Sequence, residues 1–205
     1  MHQSSMAAMS RFVAGHLAAR RGAPLGVLDV GSMDVNGSYR TLFDDPAWSY
    51  TGLDMAAGAG VDKVLAGPYD WSSIESSSFD VVVSGQAFEH IEYPWVTILE
   101  VARVLRPGGL VCIIVPSGGY EHRYPIDAWR YYPDGIRALA QWADLDVLSA
   151  ETAWEPTGEY SDDSALWADT VLVATKRRPK PPAASKAELL RRVTRLQARR
   201  RQSVT

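Results

Sequence analysis

The 205 residues contain a single cysteine, Cys112. One thiol makes no disulfide within the chain and cannot supply the paired thiolates of a structural zinc site, so neither kind of staple is open to the fold. Cys112 stands inside the apolar run "GLVCIIVP" (109–116), where a thiol acts as a small hydrophobe. Apolar runs are short as well. None approaches the roughly 18 residues that cross a bilayer, and the first 20 residues lack the apolar block of a secretory signal. These absences read as a cytoplasmic protein with no membrane span.

Net charge is low, −3, but it is unevenly spread. From Lys176 onward there are 11 Lys and Arg against Glu188 alone, while the preceding 175 residues carry 10 basic and 23 acidic side chains. An acidic body repels a phosphate backbone, so nucleic acid is not an expected partner despite the basic tail. With 46% hydrophobic residues, the body has enough apolar material for one core of ordinary domain size.

What is present is an alternation of strands and helices. "GVLDVG" (26–31), "SYTGLD" (49–54), "FDVVVS" (79–84) and "GLVCIIVP" are short runs rich in Val, Ile and Leu, as buried parallel strands are. "VDKVLA" (61–66) is a weaker strand candidate. Between the last two strong runs, "YPWVTILEVARVLRPGG" repeats apolar residues near the helical period and stops at "PGG". Strand, helix and strand at this spacing make a βαβ crossover, hence an α/β fold with a doubly wound, mostly parallel sheet. A further helix opens at Pro133, and segments 146–154 and 166–176 read as a final antiparallel strand pair.

Sheets of this kind bind ligands beyond the carboxyl ends of their strands. The loop "DVGSMDVNGSYR" follows the first strand there, and its Gly31 and Gly37 bracket a turn leading into a helix. It lacks the G-x-G-x-x-G that approaches a pyrophosphate, and its acidic residues Asp29 and Asp34 suit a ligand with positive charge. Asp54 ends the second strand, where a carboxylate can accept hydrogen bonds from both hydroxyls of a ribose.

In order and spacing, "VLDVGSMDVNGSYR", "TGLDM", "SSSFDVVVSGQAFEHI" and "LEVARVLRPGGLVCIIVPS" resemble four motifs of class I SAM-dependent methyltransferases, type 11 among them. The resemblance covers about residues 26–117 and implies a Rossmann-like fold binding S-adenosylmethionine. By position it implies that Asp29, Gly31 and Ser32 line the methionine side and that Asp54 holds the ribose. Met55 then flanks the adenine with Tyr69 and Asp70, and Gln86 and Ala87 lie beside the amino acid portion. Met33 stands where the family has a second glycine, the one hint of a SAM-binding protein without catalysis.

The stretch "EHRYPIDAWRYYPDG" (121–135) combines His, Arg, Trp and three Tyr without a hydrophobic period, and reads as the acceptor wall. Methyl transfer to an alcohol calls for a base or a metal ion. The candidate bases are His122, Glu89 and His90; with Asp127 these also offer ligands to Mg2+ or manganese. Arg123, Tyr124, Asp127, Trp129 and Arg130 are the candidate substrate contacts, with ion pairing of the two Arg to Glu121 and Asp127 as the plainer alternative. The segment is similar to one in small bacterial sugar O-methyltransferases, including those acting on mannose polysaccharides. A sugar or oligosaccharide hydroxyl is therefore the leading acceptor; a phenolic or amine compound or an RNA is the alternative.

The expected organisation is a methyltransferase domain over residues 1–176, whose N-terminal helix (1–22) is a lid or a homodimer contact. A Pro-rich linker and a basic helix follow over 177–205, with Leu189, Val193 and Leu196 as an apolar seam.

Overall fold

The computed structural model describes residues 2–154, 158, 160–177, 190, 191 and 194. Most of the expected linker and C-terminal helix, with the seam of Leu189, Val193 and Leu196, lies outside the described residues.

Seven strands form one sheet: β1 (Leu25–Val30), β2 (Trp48–Asp54), β3 (Lys63–Val64), β4 (Phe79–Gly85), β5 (Leu105–Pro116), β6 (Leu145–Thr152) and β7 (Asp169–Lys176). Their spatial order is β3-β2-β1-β4-β5-β7-β6, with β7 antiparallel to both neighbours and the other pairings parallel. The order reverses between β1 and β4. This opens a crevice at the carboxyl ends of those two strands, where the sequence places its Gly31 and Gln86 loops.

Alternation along the strands divides the core in two. Leu28, Val30, Val82, Val111, Ile113 and Val115 face one layer of helices, α2 (Pro94–Val104) and α3 (Pro133–Trp142). Val27, Val81, Val83, Cys112 and Ile114 face the other, where α1 (Gln3–Phe12) and the helical turns after it bury Met9, Phe12, Val13 and Leu17. Both Pro94 and Pro133 open their helices at a position where the missing N–H costs nothing. α2 ends at Val104 because Leu105 turns extended, and the following "RPGG" loops out of register before β5 rejoins β4 at Leu110.

Three elements differ from expectation. The loop after β1 leads only to a 3-10 turn, Tyr39–Leu42, because Gly37 and Pro46 leave too short a run to nucleate a helix. The pairing of β3 is confined to two residues. Residues Ser164–Trp167 form a helical turn (α4), and Ala168, in the left-handed region at φ 44°, redirects the chain into β7. Outside the sheet, Arg191 pairs with the buried Glu100 of α2, and Leu190 packs on the core beside it.

Tyr39 is buried beneath the end of β4, its hydroxyl 2.5 Å from that of Ser5 on α1. A Cβ added at Gly85 would overlap the Tyr39 phenol. Gly85→Ala is therefore expected to destabilise the protein by about 1–3 kcal/mol. In a Tyr39→Ala background the same change should cost much less; equal costs in the two backgrounds, measured by urea unfolding, would refute the contact.

Candidate active site

A cavity of about 730 Å3 opens at the carboxyl ends of β1, β2 and β4. One part of its wall is Gly31, Met33, Asp54, Met55, Ala56 and Tyr69; another is His2, His90, His122, Arg123, Tyr124 and Trp167; Gln86 and Ala87 also line it.

Each loop is held in place by identifiable bonds. Gly31 has φ 78° and lies so close to Ala87 that a Cβ there would overlap the Ala87 methyl, so the loops after β1 and β4 meet at a position only glycine fills. The Asp54 carboxylate accepts from the backbone N–H of Met33 (3.1 Å), Met55 (2.7 Å) and Ala56 (3.3 Å), which fixes its orientation at the cavity wall. Gln86 is in the left-handed region at φ 54°, uncommon for a residue with a side chain and frequent at binding sites. Its amide donates to Asp169 (2.8 Å), whose other carboxylate oxygen accepts from Ser4.

The stretch 121–132 is a wall tied to its neighbours. Backbone N–H groups of Ala128 and Trp129 donate to the Glu89 carbonyl, Tyr131 N–H to Pro116, and the Tyr131 hydroxyl to Phe88. Arg130 donates to the carbonyls of Gly118 and Tyr120 and grips Asp127. That grip holds the Asp127 carboxyl down at about 2, the Arg130 hydrogen bonds being the main cause. Arg123 pairs with Glu121 at 2.7 Å.

Behind the wall Glu89 is fully buried, and neither of its carboxylate oxygens has a hydrogen-bond partner among the described residues. Burial raises its carboxyl to about 8. Its oxygen Oε1 lies 3.7 Å from Nε2 of His90, whose Nδ1 is 2.6 Å from the Ile126 carbonyl. Burial lowers the His90 pKa. The rings of His90 and His122 meet edge to face at 4.8 Å, and His122 lies against Trp167 at 4.7 Å.

Of the residues expected from sequence, Gly31, Asp54, Met55, Tyr69, Gln86, Ala87, His90, His122, Arg123 and Tyr124 come together on the cavity wall. Asp29, Ser32, Glu89, Asp127, Trp129 and Arg130 are not part of it among the described residues. Alternation puts Asp29 on the Val27 face of β1, where it accepts a 2.5 Å hydrogen bond from Tyr50. Ser32 is buried, and the Trp129 indole donates to the Ile91 carbonyl. Arg130 and Asp127 are spent on each other, the plainer of the two sequence readings. Among the wall residues that escaped the sequence reading are His2 and Trp167, stacked at 5.1 Å. Nothing in their spacing signals the site, since they come together only when α1 docks on the segment before β7: Gln3 N–H donates to Asp162 and Ser4 N–H to Ser164.

The strand order and final antiparallel strand define a Rossmann-like fold of the class I methyltransferase kind. Residues 28–113 match the model of a family described as a methyltransferase domain. The chain is 29% identical over 141 residues to 2-methyl-6-phytyl-1,4-hydroquinone methyltransferase of Synechocystis, a match covering 61% of this chain and 42% of that one. It is 30% identical over 145 residues to an uncharacterized methyltransferase of Mycobacterium avium, covering 63% and 54%. The chain thus spans about half the length of the curated relatives it matches. Among solved structures it is similar to the 1,6-didemethyltoxoflavin-N1-methyltransferase of Burkholderia thailandensis, solved with its substrate and S-adenosylhomocysteine bound. That likeness has a TM-score of 0.65 at 17% identity and covers 86% of this chain and 80% of that one.

Burial raises the Asp29 carboxyl from 3.8 to about 7. A carboxyl raised in the folded state contributes most below its unfolded pKa, and that contribution is lost as pH climbs through about 4 to 7. Asp29→Asn removes this dependence while keeping an acceptor for Tyr50. Its stability relative to the parent should rise on the order of 2 kcal/mol between pH 5 and pH 8. Denaturant midpoints that move in parallel across that range would show that Asp29 does not titrate there.

Proposed function

We propose that the chain is a SAM-dependent methyltransferase that methylates a hydroxyl of a small acceptor, with a sugar or oligosaccharide as the leading class. The observation that carries this reading is one continuous cavity joining Asp54, Met55, Gln86 and Ala87 to His90 and His122.

The residues fit S-adenosylmethionine. The Asp54 carboxylate, already steadied by three backbone N–H groups, keeps acceptor capacity for a pair of ribose hydroxyls. Gly31 and Gln86 bring backbone close to the ligand, and the cofactor wall offers no basic side chain suited to phosphate. When bound, the cofactor supplies a methyl activated by its sulfonium. The chain's own task is then to align the acceptor and take its proton, and alignment alone is worth several kcal/mol. His122 and His90 face the cavity and are the groups that receive the proton, with Glu89 behind His90. Trp167 and Tyr124 present flat apolar faces with polar edges, suited to a sugar ring, and with His2 they shield the reacting atoms from water.

A second reading, methylation of a phenolic or nitrogen heterocyclic compound, draws on the same aromatic wall. The activities named for the Synechocystis and Burkholderia proteins favour it too.

Calorimetric titration with S-adenosylmethionine is expected to show one site, with Asp54→Ala weakening it about 10- to 100-fold through lost charge-assisted hydrogen bonds. Mannosides, glucosides and hydroquinones then serve as acceptors. Turnover of glycosides supports the leading reading, and turnover of hydroquinones alone transfers support to the second. Absence of cofactor binding overturns both. His122→Ala should cut turnover by about 100-fold or more while leaving cofactor affinity within a few-fold.

A further inference from the structure

The group formed by Glu89, His90 and His122 has properties that a proton acceptor alone does not require. One ligand atom from each residue lies within 4.8 Å of the others. Buried polar groups in native proteins are almost always paired, yet both carboxylate oxygens of Glu89 are buried without a hydrogen-bond partner among the described residues. These orphaned oxygens and the rings of His90 and His122 lie together where the loops after β4 and β5 meet. We propose that Glu89, His90 and His122 bind a first-row transition-metal dication, zinc-like in character, at the cavity wall.

The surroundings orient the three as ligands. Nδ1 of His90 is within hydrogen-bond distance of the Ile126 carbonyl, so the proton sits on Nδ1 and the lone pair is on Nε2, 3.7 Å from Oε1 of Glu89. A backbone carbonyl in that position is the usual means of fixing a metal-binding imidazole. Behind His122 stands the Asp127 carboxylate, 3.4 Å from Nδ1 and clamped by Arg130. Asp127, a candidate ligand in the sequence, is thus engaged elsewhere, and the set narrows to two imidazoles and one carboxylate.

That donor set also selects the ion. Magnesium and manganese prefer oxygen ligands and water, whereas imidazole suits zinc, copper, iron and nickel. Three protein ligands leave coordination positions open, and His90 and His122 both face the cavity. An acceptor hydroxyl filling an open position would be held and made more acidic. This role rests on the reading that the wall faces the acceptor; metal binding itself does not.

The test uses the full chain without a polyhistidine tag, stripped with chelator and titrated with Zn2+ and Co2+, the latter followed by visible absorption. The expected result is one ion per chain, a Co2+ spectrum of tetrahedral or five-coordinate type, and no competition from millimolar Mg2+. Glu89→Gln and His122→Gln should each weaken binding at least 10-fold, and His16→Ala, an exposed change in the helical turn after α1, should not. His122 lies in a loop, so its variant gives an answer even where a buried Glu89 variant does not fold. Failure of the parent chain to bind one equivalent, or retention of full affinity by His122→Gln, overturns the site. Titrating the same samples with S-adenosylmethionine separates the two proposals: cofactor binding without metal binding removes only the metal site, and metal binding without cofactor binding removes only the methyltransferase reading.

Discussion

The cavity wall depends on a loop after β5 that is folded on itself and then tied to the loop after β4, and Arg130 does the folding. Its guanidinium reaches Asp127 and the carbonyls of Gly118 and Tyr120, while the backbone beside it donates to the Glu89 carbonyl. Arg130 and Asp127 are partly screened from solvent, and the pair works through geometry: a planar fork with several fixed donors can hold the Gly118 and Tyr120 carbonyls and the Asp127 carboxylate at once. An irregular segment rich in polar groups becomes a wall by this means, and His122 acquires a defined position relative to His90.

Much of the fold was legible in the sequence because its signals are local. The Val- and Ile-rich runs became β1, β2, β4 and β5, and the helical period after Pro94 became α2 with its stop at "RPGG". The first crossover was misread for a local reason as well: glycine and proline bracket the segment that a helix would need. The place of Asp54 and Gln86 on the cavity wall was legible because position at the end of a strand fixes which loop they join. Asp29 was not, since direction across a strand depends on register and neighbours, and Tyr50 on the adjacent strand captures it.

The stretch 121–132 divides along the same line. His122 and Tyr124 stand on the wall, whereas Arg130 and Asp127 satisfy each other behind it. Both outcomes were open in the sequence, because an Arg three residues from an Asp serves a ligand or a loop equally well. His2 and Trp167 belong to the wall through contacts spanning most of the chain, which no window of sequence contains.

That long-range contact sets the order in which the site can be completed during synthesis. One wall of the cavity is built from residues 31–87, but the other requires Trp167, and β7 must insert between β5 and β6 to hold it. Chains emerge from the amino end. A partly made chain would thus own the first wall of the cavity well before it owns the second, and the His2 end must wait for its partner until nearly the whole sheet has been made.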